Sequence, residues 1–325
     1  MKSVFRIKLY LSALLLLILF SISCGKSNDP NKQNSNKTSN NNGDNNSSTP
    51  GSKDKVFVLG TFPQDKNEIA IKRFSALKEY LEEKLGVKIK FTISLDYEKL
   101  AKDLNDGKIH FASISPSTYI TKLQEYPGLK YIATAVDKKT GKEFYNGFII
   151  TRKDSGIKTF SQLKNRHFAF VDKGSGSGFK FPVSIMLNRF KVDPKTFFKK
   201  TLFMGNHPST IEAVYKKQAA GGATWDFAFD EAVKKYGKNP FNILVKTPDI
   251  PLDTFVASPH LPDKIVKKLQ KILSELNEKT KTKSGKLVIK DYYFKGYVVR
   301  NPKIYNIIRQ TNETLKKWRK KWKEK

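Results

Sequence analysis

The feature that most restricts the fold is a regular alternation of short apolar runs with helical segments. The runs "VFVLG" (56–60) and "KIKFTI" (88–93) have the length and pattern of buried strands. Between them, apolar residues recur at helical spacing: Ala70, Phe74, Leu77 and Leu81. Because a crossover helix returns the chain to the same edge of a sheet, this order predicts an α/β fold with mainly parallel sheets.

The alternation continues through most of the chain. Helical segments separate most of the further strand candidates, which are Ile109–Ile114, Tyr131–Val136, Phe148–Ile150, Phe168–Val171, Leu202–Met204, Ala223–Trp225, Ile243–Val245 and Phe255–Ala257. Residues 56–325 hold more of this pattern than a single sheet usually carries. The sequence therefore predicts two α/β lobes.

Residues 1–23 have the layout of a secretory signal peptide, with basic residues, an apolar run and then small residues. The stretch from Leu9 to Ser23 is 15 residues long. A membrane-spanning helix needs roughly 20, so an uncleaved anchor is the weaker alternative. The segment "SISC" resembles the lipobox of bacterial lipoproteins. This resemblance implies that Cys24, the only cysteine, is lipidated, which excludes thiol catalysis and internal disulfides.

Residues 24–54 contain Cys24 and then a segment rich in asparagine and serine, whose only apolar side chains are prolines. Such a composition cannot bury enough surface to fold, so we expect a disordered tether.

The formal net charge is +31, and removal of three basic residues with the signal leaves 31 − 3 = +28. So basic a chain suits an anionic surface or nucleic acid. The secretion signal and the scattered lysines argue against nucleic acid as the partner.

Residues 301–325 have the pattern of a basic amphipathic C-terminal helix. They contain nine Lys or Arg against two Glu. The apolar positions of the helix are Ile304, Ile308, Leu315, Trp318 and Trp322. A helix of this kind can lie on a membrane surface. The commoner alternative is a terminal helix that packs on its own domain and exposes its charged face.

The segment "DKGSGSGFKFP" (172–182) is the clearest candidate for a binding site. It follows a strand and precedes a helix, so free backbone N–H groups, glycines and serine hydroxyls can form a cradle for an oxyanion. An ordinary capped turn is an equally good interpretation of this loop taken alone. Enzyme motifs do not fit, because no G-x-S-x-G is present and Phe179 occupies the place of a P-loop lysine or a final glycine.

Six segments occur in the order that one family shows. They are "DYEKL" (96–100), "FASISPSTY" (111–119), "FYNGFIITRKDSGIKTFSQLKNRHFAFV" (144–171), "FVDKGSGSGFKFP" (170–182), "MGNHPSTIEAV" (204–214) and "GGATWD" (221–226). Together they resemble the phosphonate-binding protein family of ABC importers. The resemblance implies the two-lobed type II periplasmic binding protein fold, which has a hinge and a ligand cleft between its lobes.

The resemblance also implies which residues hold the ligand. They are Tyr97, Tyr145, Ser175, Gly176, Ser177, His207 and Asp226. Gly176 stands where the family usually has threonine, and Asp226 lies one place from the family's acidic position. The implied first lobe comprises residues 55–145 and 250–300, and the second comprises residues 146–249.

The resemblance implies a monomeric solute-binding lipoprotein, not an enzyme, that is anchored on the extracytoplasmic face of the cell membrane. It would deliver a phosphonate, phosphite, phosphate or related phosphorylated anion to ABC permease subunits.

We expect no cofactor and no metal, because His110, His167 and His260 are isolated from one another and are expected to be structural. One alternative is a binder of a sulfonate or a thiamine-like compound. Another is a basic surface adhesin or a nucleic-acid-binding lipoprotein.

Overall fold

The computed structural model of the protein describes residues 56–323, which belong to one compact unit. The predicted signal peptide, Cys24 and the tether lie outside the described residues and stay predictions. Among residues 56–323, no helix has both the length and the apolar character that crossing a membrane requires.

The strands lie close to the apolar runs that the sequence shows. In chain order they are β1 (Val56–Thr61), β2 (Lys88–Ile93), β3 (Phe111–Ile114), β4 (Lys130–Asp137), β5 (Phe144–Tyr145), β6 (Gly147–Arg152), β7 (His167–Phe170), β8 (Lys200–Phe203), β9 (Gly221–Trp225), β10 (Phe241–Lys246), β11 (Ile250–Pro251), β12 (Thr254–Ala257) and β13 (Phe294–Val298). All ten strands that the sequence predicts are present. The sequence missed β5, β11 and β13.

Helices connect most of these strands. They are α1 (Asn67–Leu85), α2 (Tyr97–Asn105), α3 (Pro116–Lys122), α4 (Phe181–Asn188), α5 (Pro194–Phe197), α6 (His207–Tyr215), α7 (Asp226–Tyr236), α8 (Asp263–Ser274) and α9 (Asn306–Lys323). A π-helical turn, Gly176–Lys180, leads directly into α4.

Two sheets form the cores of two lobes. The first lobe contains the six-stranded sheet, in the order β13-β4-β12-β3-β1-β2. The second lobe contains the five-stranded sheet, in the order β10-β6-β9-β7-β8. Strands of the first sheet lie within residues 56–137 and 254–298, and those of the second lie within residues 147–246. The lobe limits that the sequence analysis proposed stay a prediction.

The expectation of mainly parallel sheets is wrong. Strands β1 and β3 pair in parallel, but β12 is antiparallel to both of its neighbours. In the second sheet β6 is likewise antiparallel to both neighbours. The cause is visible in the chain, because no helix intervenes between β4 and β6 or between β10 and β12. The chain crosses between lobes at these two places, so the crossover-helix argument does not apply there.

The two crossing segments pair with each other and form the hinge. Strand β5 is antiparallel to β11, with Tyr145 opposite Ile250 and Phe144 opposite Pro251. This two-stranded ribbon connects the lobes through backbone hydrogen bonds. The predicted site residue Tyr145 therefore lies in the hinge itself.

The C-terminal helix α9 packs on the protein instead of presenting its apolar stripe to a surrounding medium. Ile308 is buried in the larger hydrophobic core, which draws side chains from both lobes. Leu315 is buried in a second core under the second sheet, together with Phe168. Trp318 packs against that second core, and its indole N–H donates to Asp193 Oδ2 at 2.8 Å. Helix α9 thus buries its apolar side chains against both cores, and its charged face remains exposed.

Candidate functional site

The glycine-serine loop begins the helix that ends in α4. Ser175 caps this helix, because its Oγ accepts a hydrogen bond from the Gly178 N–H at 3.0 Å. The amides of Gly176 and Ser177 occupy the first helical positions, where an N–H has no partner within the helix. Every residue from Gly176 to Lys180 is buried. The loop therefore presents backbone donors and a serine hydroxyl in an enclosed place, as an oxyanion cradle requires.

Helix α3 of the first lobe packs directly on this loop. Thr118 Oγ1 donates to the Gly174 carbonyl oxygen at 3.1 Å, a hydrogen bond between the lobes. A Cβ atom at Gly176 would lie 2.6 Å from Ser117 Oγ and 3.3 Å from Tyr145 Oη. Position 176 therefore has no room for a side chain unless Ser117 moves. This contact accounts for the glycine at position 176.

Tyr97 and Tyr145 approach the loop from the first lobe and from the hinge. Tyr97 is the first residue of α2, and its buried hydroxyl has no hydrogen-bond partner. Burial raises the pKa of Tyr97, and burial also raises the pKa of Tyr145 against the opposing effect of the Ser177 hydroxyl. Both phenols are therefore neutral at physiological pH. A neutral phenol can donate a hydrogen bond to an anion.

His207 begins α6 and is almost fully buried. Its Nδ1 lies 3.1 Å from Thr224 Oγ1, and its backbone N–H donates to the Gln64 carbonyl oxygen in the first lobe at 3.3 Å. Burial lowers the pKa of His207 to about 3, so the ring is neutral at physiological pH. The tautomer with hydrogen on Nε2 leaves that nitrogen as a donor while Nδ1 accepts from Thr224.

Asp226 lies at the start of α7, but its carboxylate is already occupied. Its Oδ2 accepts the Asn146 N–H at 3.0 Å and its Oδ1 accepts the Phe227 N–H at 2.8 Å. The Asp226 N–H donates in turn to the Asn146 carbonyl oxygen. These bonds attach α7 to the segment between β5 and β6. Burial raises the pKa of Asp226 to about 6. A direct role of Asp226 in ligand binding stays a prediction.

A second acidic residue, Asp253, was missed by the sequence analysis. It directly precedes β12, is buried, and its Oδ2 has no hydrogen-bond partner. Burial, with a smaller effect from the Asp65 carboxylate, raises the pKa of Asp253 to about 8. Its charge acts on both Tyr97 and Tyr145, which places it beside the predicted site residues. In the sequence, an aspartate at the start of a strand looks like any polar boundary residue.

Further buried polar atoms without partners surround the same region. Thr61, Ser94 and Ser117 lie at or just beyond the carboxyl ends of β1, β2 and β3. Trp225 ends β9, its Nε1 is unpartnered, and its ring packs edge-on against Tyr145 at 5.5 Å. Ligands of open α/β sheets bind at the carboxyl ends of strands. Unpaired buried donors are costly, so they indicate that a polar ligand belongs there.

The site has the chemistry of binding an anion. It offers hydroxyls, backbone amides and a neutral imidazole, and its acid Asp253 has a raised pKa.

Within residues 56–323, no group of three or more His, Cys, Asp or Glu is placed to hold a metal ion. His110 accepts the Val58 N–H at Nδ1, and His260 Nε2 contacts the Asn105 carbonyl oxygen, so both bind backbone groups.

Comparisons with known proteins agree with this geometry. The model of a family described as "ABC transporter, phosphonate, periplasmic substrate-binding protein" matches residues 59–305. A probable ABC transporter phosphite-binding protein of Prochlorococcus marinus is 25% identical over 280 residues, which are 82% of this chain and 92% of that protein. A phosphate-import protein of Mycolicibacterium smegmatis is 24% identical over 198 residues, 58% of this chain and 60% of that protein.

Solved structures establish the two-lobed fold. A binding component of an ABC phosphonate transporter from Pseudomonas aeruginosa has a TM-score of 0.72 at 20% identity, over 80% of this chain and 86% of that one. A Prochlorococcus marinus protein in complex with methylphosphonate also has a TM-score of 0.72, at 21% identity, over 81% and 99% of the two chains. The chain belongs to the family of periplasmic substrate-binding proteins of phosphonate ABC transporters.

Proposed function

We propose that the protein captures a small oxyanion of the phosphonate, phosphite or phosphate type and delivers it to the permease of an ABC importer. The observation that carries this proposal is the meeting of the loop of Ser175 and Ser177 with unpartnered buried hydroxyls of the first lobe, such as Ser117. Relatives named for phosphite and phosphate support the same ligand class. The protein acts by binding and not by catalysis.

Hydrogen bonds to a charged ligand supply the affinity. Each is worth about 1.5–3 kcal/mol, so several donors and a helix N-terminus offset the desolvation of an anion. The second lobe contributes Ser175 and Ser177, and the first lobe contributes Tyr97 and Ser117. A ligand that bonds to both lobes stabilises their closed arrangement. Closure is the change that a permease can recognise.

Asp253 makes binding depend on the protonation state of the ligand. A carboxyl group with a raised pKa keeps its proton near neutral pH, so it can donate to the ligand. Ionised, it can accept a hydrogen bond from a P–OH group. In both states one proton lies between the carboxyl and the anion, which avoids two facing negative charges.

We further propose that Cys24 carries a lipid that anchors a monomeric protein to the extracytoplasmic face of the membrane. Mass spectrometry of the protein extracted from membranes would then show acyl chains on Cys24. Absence of acyl chains on Cys24 in that extract would overturn the proposal. Light scattering after size-exclusion chromatography tests the monomeric state.

The ligand class is tested by a thermal-shift screen with methylphosphonate, phosphite, phosphate, an alkanesulfonate and thiamine phosphate. A ligand that binds only the folded state raises the melting temperature. We expect stabilisation by one of the first three compounds. Stabilisation by the sulfonate alone would transfer the protein to a different ligand class. A polyanion that binds with steep salt dependence, with no small anion binding, would favour the adhesin or nucleic-acid alternative.

Calorimetry on variants then tests the site. Ser177→Ala should weaken binding by about 1.5–3 kcal/mol, or roughly tenfold to 150-fold. Ser175→Ala should do the same and also destabilise the helix, because Ser175 caps it. Ser274→Ala, on the exposed end of α8, is the matched control and should leave affinity unchanged. Unchanged affinity in both loop variants would refute the site.

A further inference from the structure

A cavity of about 470 Å³ lies between α3 and α9. Thr121 of α3 forms part of its wall, and Lys180 lines it from the end of the π-helical turn. Gln124, just after α3, and residues of α9 form the remaining wall. Elements of both lobes therefore meet at this cavity.

Lys180 is the buried amine of this cavity. It is only 4% exposed. Its Nζ donates to the Ser117 carbonyl oxygen at 3.0 Å and to Thr121 Oγ1 at 2.8 Å. An ammonium group has three donors, and both of these acceptors are uncharged. When Lys180 is protonated, these two hydrogen bonds leave one donor for a further acceptor.

Three more cations surround the opening, with one carboxylate among them. They are Lys316, Arg319 and Lys320, and the carboxylate is Glu313. Burial, and next the charge of Arg319, lower the pKa of Lys180 to about 7. Lys122 acts in the same direction, whereas Glu98 and Asp172 oppose it. The positive charge of Arg319 thus opposes protonation of Lys180, and an anion between these two groups would relieve this repulsion.

We propose that this cavity is a second anion site, which takes a phosphate group between Lys180 and Arg319. A phosphate oxygen can accept the remaining Lys180 donor while the planar guanidinium of Arg319 binds two further oxygens. The phosphate group has two sources outside the cytoplasm, a soluble phosphate compound or the headgroup of an anionic phospholipid. The site goes beyond the proposed transport function and does not rest on it.

Occupancy of this site would act on the arrangement of the lobes. Thr121 belongs to the first lobe and Lys180 follows the ligand loop of the second lobe. Helix α9 packs against the cores of both, through Ile308 and Leu315. A phosphate that bonds to Lys180 and α9 therefore stabilises the same closed arrangement as the transported ligand. By linkage each of the two would increase the affinity of the other by the same factor.

The experiment measures binding to the full chain in a neutral detergent. The background variant S175A/S177A weakens the interlobe site, so failure of the proposed function does not affect the result. The probes are inorganic pyrophosphate and short-chain dihexanoyl phosphatidylglycerol, with dihexanoyl phosphatidylcholine as the zwitterionic control. We expect one molecule of at least one phosphate probe to bind per chain. Binding of pyrophosphate identifies a soluble source, and binding of phosphatidylglycerol alone identifies a lipid source.

Charge variants separate this cavity from the general basic surface. We expect K316A/R319A to weaken probe binding at least tenfold. The matched control is K267A/K268A, which removes two exposed lysines from α8. It should change affinity less than twofold. Absence of binding by both phosphate probes would overturn the proposal, and so would equal losses in the two double variants.

Lys180 gives an independent readout. A bound anion raises the pKa of a nearby ammonium, so binding at pH 7.5 should take up protons. Calorimetry in buffers of different ionisation enthalpy measures this uptake. The Lys180→Met variant keeps the volume of the side chain and should reduce proton uptake relative to its parent. Identical uptake in parent and variant would contradict the role of Lys180.

Discussion

Asp253 gives the sharpest prediction, because its carboxyl group is buried without a hydrogen bond to Oδ2. Burial raises its pKa from 3.8 to about 8. Between these values the native chain keeps a proton that the unfolded chain has released. The native state then binds more protons than the unfolded state, so its stability falls as the pH rises. Asp253→Asn cannot ionise and should escape this loss.

The magnitude follows from the two pKa values. The shift is about 4 units, and each unit corresponds to about 1.4 kcal/mol. The wild type should therefore lose about 6 kcal/mol through this group between roughly pH 4 and pH 8, and nothing more above pH 8. The difference in the free energy of unfolding, variant minus wild type, should rise by about 1.4 kcal/mol per pH unit across that range.

Urea unfolding followed by circular dichroism in ligand-free protein measures this difference at several pH values. Asp291→Asn replaces an exposed aspartate and serves as the matched control. A difference between Asp253→Asn and wild type that does not change with pH would refute the reasoning. It would mean that Asp253 is ionised, and solvated or paired, in the native protein.

Three further predictions concern other groups near the site. As the pH falls from about 6.5 toward 3, only the unfolded state takes up a proton at His207, so the wild type should lose about 1.4 kcal/mol of stability per pH unit through this group. His207→Gln should lessen this loss. Equal pH slopes of the free energy of unfolding in variant and wild type would contradict the prediction. Thr118→Val removes the hydrogen bond to Gly174 and should weaken ligand binding by about 1 kcal/mol in calorimetry; an unchanged Kd would show that the bond does not contribute to closure. Arg73→Met leaves the buried Asp65 without its cation and should cost about 3 kcal/mol at neutral pH; urea unfolding should show a smaller cost below pH 6, because burial raises the pKa of Asp65 to about 6.

The sequence predicted the parts of the fold that repeat a simple pattern. Strands such as β2 and helices such as α1 show clear periodicity, and the structure has them at the expected places. The hinge strands β5 and β11 have two residues each, which is too short for any period to be visible. Strand β13 contains Lys295 and Gly296, and these residues break the alternation that marks a strand.

The candidate site was predictable where the chemistry is local. The loop of Ser175 and Ser177 carries its donors within three residues, so its composition alone suggested an oxyanion cradle. Asp253 and Lys180 depend on contacts between segments that are far apart in the chain. Lys180 donates a hydrogen bond to Ser117, which lies 63 positions earlier in the chain, and only the packing of the lobes buries its amine. Local sequence carries no signal for this kind of burial.

The strand order of the first sheet has a consequence for biogenesis. Strand β4 pairs only with β12 and β13, which come from the last quarter of the chain. In a nascent polypeptide β4 therefore lacks β12 until synthesis has passed Ala257, and it lacks β13 until synthesis has passed Val298. Until then the sheet of the first lobe is incomplete. The same topology that joins early and late segments delays completion of the first lobe until residues 294–298 have been made.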